Sequence, residues 1–137
     1  AANVREAIEL LGAQRIGHGL RAIDDPAVMA LAIEQDVAFE MCPTSNLQTG
    51  AVSGFGMHPL VDMLGMGARV TINTDDPSVS DTTLTDEYLV VTLAMGVTAV
   101  QLKTMILTAA EASFQSDRAR RILVERLRQE LAQFPEL

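Results

Sequence analysis

Apolar positions recur along the chain in two rhythms that alternate. Val4, Ala7, Ile8 and Leu11 share one helical face, Asn3 and Glu6 form a capping pair ahead of it, and Gly12 stops it. Gln14 to His18 is short and reads as a strand. Asp25 then caps a helix that has Pro26 in its first position and Val28, Leu31 and Ala32 on its inner stripe. Val37–Met41 reads as a second strand and Pro43–Gly56 as a loop rich in Gly, Ser, Thr and Asn. Pro59 opens a short helix with Leu60, Val61 and Leu64 inward, and Gly65 and Gly67 end it. Arg69–Asn73 is the third strand.

From residue 82 onward the pattern is helical. Its stripes are Leu89 and Leu93, then Leu102, Met105, Ile106 and Ala109, then Leu123, Leu127, Leu131 and Phe134. Thr98 and Gln101 make a capping box, and Pro135 closes the last helix. Helices alternating with strands predict right-handed βαβ crossovers and a parallel sheet, an α/β fold. Gly12–Ile16 and Gly67–Thr71 echo each other. Any two helix-to-strand joints share that form, and the α/β reading does not depend on it.

Composition narrows the classes. With 137 residues, 48% hydrophobic and 20% charged, the chain has enough apolar surface to fold, which excludes a disordered class. No apolar run reaches 18 residues, so no transmembrane helix is expected, and the first residues do not read as a signal peptide. Net charge is −8; residues 118–137 alone are net basic, with Arg118, Arg120, Arg121, Arg126 and Arg128 as the solvated face of a terminal helix. No nucleic-acid face is expected, and the 4% aromatic content without Trp offers no stacking platform. Cys42 is the one cysteine, which fits a reducing cytoplasm.

Polar groups gather just past the strands: His18 after the first, Glu40 and Cys42 at the end of the second, Asp75 and Asp76 after the third. In parallel α/β proteins that is where ligands bind. His18, between Gly17 and Gly19, reads either as a satisfied strand-end histidine or as an acid–base or metal-shell imidazole. Asp75 and Asp76 read either as turn and cap chemistry before Pro77 or as two carboxylates with two partners, because successive residues leaving a strand point to opposite sides. Glu40 must be paired if buried. Cys42 reads as a small buried residue, His58-Pro59 as a helix start, and the seven Met residues as core filler.

Taken in order, Arg15-Ile16-Gly17-His18-Gly19, Glu40-Met41-Cys42-Pro43-Thr44-Ser45-Asn46-Leu47-Gln48-Thr49-Gly50, His58-Pro59 and Thr71-Ile72-Asn73-Thr74-Asp75-Asp76-Pro77 closely resemble the C-terminal part of the adenosine deaminase family, the purine nucleoside aminohydrolases. The resemblance runs over essentially the whole chain and is densest from Asn3 to Pro77. It implies the last part of a (β/α)₈ barrel, about three parallel strands with flanking helices. It implies hydrolytic deamination of adenosine or 2′-deoxyadenosine to inosine and ammonia on a zinc ion. By position, Asp75 matches the metal-ligating aspartate and His18 the histidine that holds and helps deprotonate the metal-bound water. Asp76 matches the carboxylate that orients that water or hydrogen-bonds the purine.

The departures are as informative. The family also uses a His-x-His pair and a further His with a catalytic Glu, and this chain has two histidines in all, His18 and His58. A catalytic zinc takes about three protein ligands, and only Asp75 maps to one. A full barrel takes roughly 250 residues. The expectation is therefore one incomplete domain over 1–137, with strand–helix units and site motifs in 1–80 and helices in 81–137. It is expected to be a fragment inactive alone that does not retain zinc. A stand-alone binding module and one chain of a split enzyme are the alternatives. The partners expected are a purine nucleoside in the parent, no nucleic acid and no membrane. A missing N-terminal half or self-association is also expected, the latter through an apolar interface near His18 and Asp75 on the barrel-facing side or the edge of the Gln14–His18, Val37–Met41 and Arg69–Asn73 strands.

Overall fold

The computed structural model describes residues 1–134. Its centre is a sheet of three parallel strands, β1 (Arg15–Gly17), β2 (Ala38–Met41) and β3 (Arg69–Ile72), in the order β1-β2-β3. Helix α1 (Ala2–Glu9) precedes β1; a 3-10 turn (Leu20–Asp24) and α2 (Pro26–Glu34) lead to β2. Helix α3 (Pro43–Gln48), a 3-10 turn (Phe55–Met57) and α4 (Leu60–Gly65) lead to β3. Helices α5 (Pro77–Ser80), α6 (Leu84–Leu93), α7 (Ala99–Glu111) and α8 (Asp117–Leu131) follow. The expected α/β class with three parallel strands is what the chain adopts.

Register puts Ile16, Phe39 and Val70 side by side, so they share one face of the sheet with Met41 and Ile72. That face packs on Val28 and Met29 of α2 and Leu60 and Met63 of α4 in one apolar core. Val91, Val97 and Met105 join the same core, which ties the C-terminal helices to the sheet. Helix α7 packs along β3, and α8 lies on α7. No helix among the described residues is long and apolar enough to cross a membrane.

The opposite face carries Arg15, Glu40, Arg69 and Thr71. Arg15 pairs with Glu40 at 3.3 Å, and its guanidinium lies 3.8 Å from the Phe114 ring centroid. The apolar barrel-facing side expected above is therefore not found. Apart from Ala38 and Gly17 its residues are charged or hydroxylic, and Arg15 pairs with a Glu40 that is half-buried.

Several local expectations hold. Asp25 caps α2 through the N–H groups of Ala27 and Val28 with Pro26 at the first position, and Thr98 and Gln101 form the capping box of α7. Others are corrected. Ala1, whose carbonyl accepts from Val4 and Arg5, is the N-cap of α1, so Asn3 and Glu6 lie inside the helix and Leu11 lies beyond it, exposed. Residues 43–56 are not a loop throughout: α3 forms there with Pro43 at its first position, and its buried face is Pro43, Ser45 and Asn46. A face of that kind has no apolar period to read. Helix α6 buries Glu87 and Val91 and exposes Leu89 and Leu93. The carboxylate is hydrogen-bonded inside, so the hydrophobic count selected the wrong face. On α7, Ala110 rather than Ala109 is buried, and on α8 Leu123, Leu127 and Leu131 are half-buried beside buried Val124. Phe134 is exposed. Pro135 lies outside the described residues.

Candidate active site

The carboxyl ends of all three strands open on one cleft of about 420 Å³, bordered by His18, Glu40, Cys42, Asn73 and Asp75. Strand β1 ends in two consecutive left-handed residues, His18 (φ 57°) and Gly19 (φ 71°), which turn the chain sharply into the 3-10 segment. The His18 N–H still donates to Glu40 O at 2.9 Å, so the ladder holds the backbone that carries the ring. Glycine is required next: a Cβ on Gly19 would sit 2.8 Å from Ile16 Cγ2 and Phe39 Cδ1. Asp75, past the end of β3, is left-handed as well (φ 61°). Non-glycine residues held at positive φ concentrate at functional sites. Two of the four here face each other across this cleft.

His18 Nε2 lies 3.6 Å from Asp75 Oδ2, both side chains being about 40% exposed. Ser45, on α3, donates its hydroxyl to Asp75 Oδ2 at 2.7 Å. Asn46, its neighbour, has Nδ2 3.1 Å from His18 Nδ1 and Oδ1 3.0 Å from His58 Nε2. His58 is buried, and its Nδ1 accepts from the Leu60 N–H that begins α4. The helix-start reading of His58-Pro59 is right, and the ring has a second contact that reaches the cleft. Glu87, fully buried on α6, accepts from the Thr44 N–H at 3.2 Å and from the Thr82 hydroxyl at 3.1 Å. It pins the first turn of α3, the helix that delivers Ser45 and Asn46.

The sequence-derived site residues separate into two groups. His18 and Asp75 come together. Asp76 stands apart: it is exposed, and its Oδ1 caps α5 by accepting from Ser78 and Val79 N–H at 3.1 and 3.3 Å. Its Oδ2 has no protein partner among the described residues. Cys42 is buried as expected. Burial first, and the carboxylates of Asp75 and Glu87 after it, push its thiol up to about 12, and it donates to Glu40 O.

Sequence reading assigned no role to Ser45, Asn46 or Glu87. The first two stood inside a recognised motif, but only the fold shows which side chain each one meets. A carboxylate at 87, one helical turn before Val91 on a shared face, was the available signal for a buried acid.

His18, Cys42 and Asp75 each place a ligand atom within 4.8 Å of the others. Its raised value makes the metal-free Cys42 thiol the weakest donor of the three, beside an imidazole and a carboxylate. The other two donors are fewer than the three or so that a catalytic zinc takes. The set fits one side of a zinc centre and does not close a shell.

Polar groups collected past the carboxyl ends of parallel strands are the layout of the active-site face of an α/β barrel enzyme. The family model for adenosine deaminase matches residues 1–130, and the chain belongs to that family. An adenosine deaminase from Shewanella denitrificans is 42% identical over 118 residues, covering 86% of this chain and 36% of its own length. An adenine deaminase from Arthrobacter aurescens superposes with a TM-score of 0.90 at 27% identity, over 96% of this chain and 40% of that one. An amidohydrolase from Burkholderia ambifaria, solved with bound zinc, shares the fold with a TM-score of 0.81 at 24% identity, over 97% of this chain and 39% of that one. The chain thus spans little more than a third of the curated relative's length.

Proposed function

We propose that these residues carry one side of an aminopurine deaminase centre, acting on adenosine or 2′-deoxyadenosine, and that the remaining family length supplies the other metal ligands and the general acid. The observation that carries this reading is the convergence of His18 and Asp75 over the Ser45 hydroxyl. In this assignment Asp75 is the metal ligand on this side, and Ser45 fixes which of its oxygens is free to bind. Zinc, when bound, supplies the Lewis acidity that makes water nucleophilic near neutral pH. The water oxygen bonds to C6 of the purine, the bond from C6 to the exocyclic nitrogen breaks, and the two water protons end on ring N1 and on the departing nitrogen, giving ammonia and inosine or 2′-deoxyinosine. In the same assignment the His18 ring contacts the attacking oxygen. Asp76 Oδ2 takes a hydrogen bond with the purine, its other oxygen being used to hold α5.

A chimera tests this. The chain replaces the matching segment of the Shewanella denitrificans relative, and the loss of adenosine absorbance is followed. Activity that disappears with Asp75→Ala and falls with His18→Ala is expected. A folded chimera with no activity would reject the assignment.

A further inference from the structure

The hydrogen-bond chain behind His18 has a fixed direction. A backbone N–H can only donate, so His58 Nδ1, 3.1 Å from Leu60 N, is a bare acceptor. Burial pushes His58 down to about 4, so the ring is neutral and its single proton sits on Nε2. That N–H donates to Asn46 Oδ1 at 3.0 Å. The amide is thereby oriented, and its Nδ2 donates to His18 Nδ1 at 3.1 Å. His18 accepts at Nδ1, so the neutral ring carries its proton on Nε2, the atom 3.6 Å from Asp75 Oδ2.

The reverse order fails at each link. Turning the Asn46 amide over sets its N–H against the N–H of His58. Moving the His58 proton to Nδ1 sets it against the N–H of Leu60, which cannot tautomerise. Asn46 and His58 are only 3% and 5% exposed, so water does not relieve a donor-to-donor contact there.

We propose that His58 and Asn46 are positioning residues that lock His18 in its Nε2–H tautomer, so that the ring presents a hydrogen-bond donor, not a lone pair, to Asp75 and the cleft. The placement of His18 at the reacting centre rests on the reading above; the lock itself rests on hydrogen bonds within this chain. A ring so held steadies negative charge on an attacking oxygen. It cannot accept that oxygen's proton at Nε2.

The test is long-range ¹H–¹⁵N correlation of the ¹⁵N-labelled 137-residue chain at pH 8, where two histidine rings give two patterns. Both rings are expected as a single Nε2–H form. In Asn46→Asp the carboxylate accepts on both sides, so a proton should appear on His18 Nδ1 while the His58 pattern is unchanged. A mixture of tautomers in the unmodified chain, or a His18 that keeps a bare Nδ1 in folded Asn46→Asp, overturns the proposal. If Asn46→Asp does not fold, the ¹⁵N–¹⁵N coupling across the hydrogen bond from Asn46 Nδ2 to His18 Nδ1 decides in the unmodified chain: its presence supports the lock, and its absence removes it. An inactive chimera would defeat the deaminase reading and leave these spectra as they are.

Discussion

Ser45 donates its hydroxyl to Asp75 Oδ2 across 2.7 Å and so couples helix α3 to the turn that follows β3. Partners of this kind orient a carboxylate ligand, and losing one typically costs 10–100-fold in metal affinity. Ser45→Ala in the active chimera should therefore weaken zinc binding by roughly 10-fold or more, as measured by competition with a chelator, and excess zinc should restore much of the activity. An unchanged zinc affinity would remove Ser45 from the centre.

The isolated chain should hold well under one zinc after dialysis and should not deaminate adenosine. Asp75 and His18 supply two donors, and among the described residues Cys42, whose thiol is pushed up to about 12, is the one further donor grouped with them. Elemental analysis and an absorbance assay check both points. Stoichiometric zinc surviving dialysis would mean that Cys42 ionises and joins the shell, since it is the third donor within reach.

Glu87 is the hidden support of the site. Its carboxylate is fully buried and takes hydrogen bonds from the Thr44 N–H and the Thr82 hydroxyl. Glu87→Ala leaves both donors unpaired in the interior and opens a cavity, which should cost about 2–4 kcal/mol. Glu87→Gln keeps one acceptor oxygen and the shape, and should cost about half as much. Urea unfolding of the two variants gives the comparison, and equal losses would mean that packing alone matters at this position.

The parts of the fold that hydrophobic period encodes were legible in the sequence, and the parts that polar contacts encode were not. Strands β2 and β3 announce themselves through short, largely apolar segments, β1 only through its place after the Gly12 helix stop, and α2 through the Asp25-Pro26 cap. Helix α3 was invisible because the residues it buries, Ser45 and Asn46, are satisfied by Asp75, His18 and His58, which lie 12 to 30 positions away. The orientation of α6 was misread for the same reason, with Glu87 turned inward. His18 and Asp75 were legible as candidates because they follow strand ends, and their expected roles came from the family resemblance. Asp76 was found in sequence too, yet the structure shows only its capping oxygen at work.

Gly19 should not tolerate a side chain. Its φ of +71° already disfavours an L-residue, and an added Cβ would meet Ile16 Cγ2 and Phe39 Cδ1 at 2.8 Å. Phe39 is completely buried and cannot swing away. Gly19→Ala should cost about 2–4 kcal/mol, combining left-handed strain with overpacking. It should also displace the His18 ring, since the two residues form one turn. A loss below about 0.5 kcal/mol in urea unfolding would show that the turn relaxes without strain.

His58 should make the fold sensitive to mild acid. Burial lowers its folded-state value from 6.5 to about 4, so the unfolded chain takes up this proton first. The contribution of a neutral His58 is fully present above pH 6.5 and declines as pH falls from there to about 4, by at most ~1.4 kcal/mol per pH unit. Protonation also puts a proton on Nδ1, against the Leu60 N–H that it must accept. Urea unfolding at pH 7 and pH 5 should show the unmodified chain losing about 1–2 kcal/mol more than His58→Gln over that interval. Carboxylates titrate in both proteins and largely cancel in the difference. Equal losses would mean that His58 takes up its proton in the folded chain as easily as in the unfolded one, and the buried acceptor at the start of α4 would no longer anchor the direction of the hydrogen bonds that lead to His18.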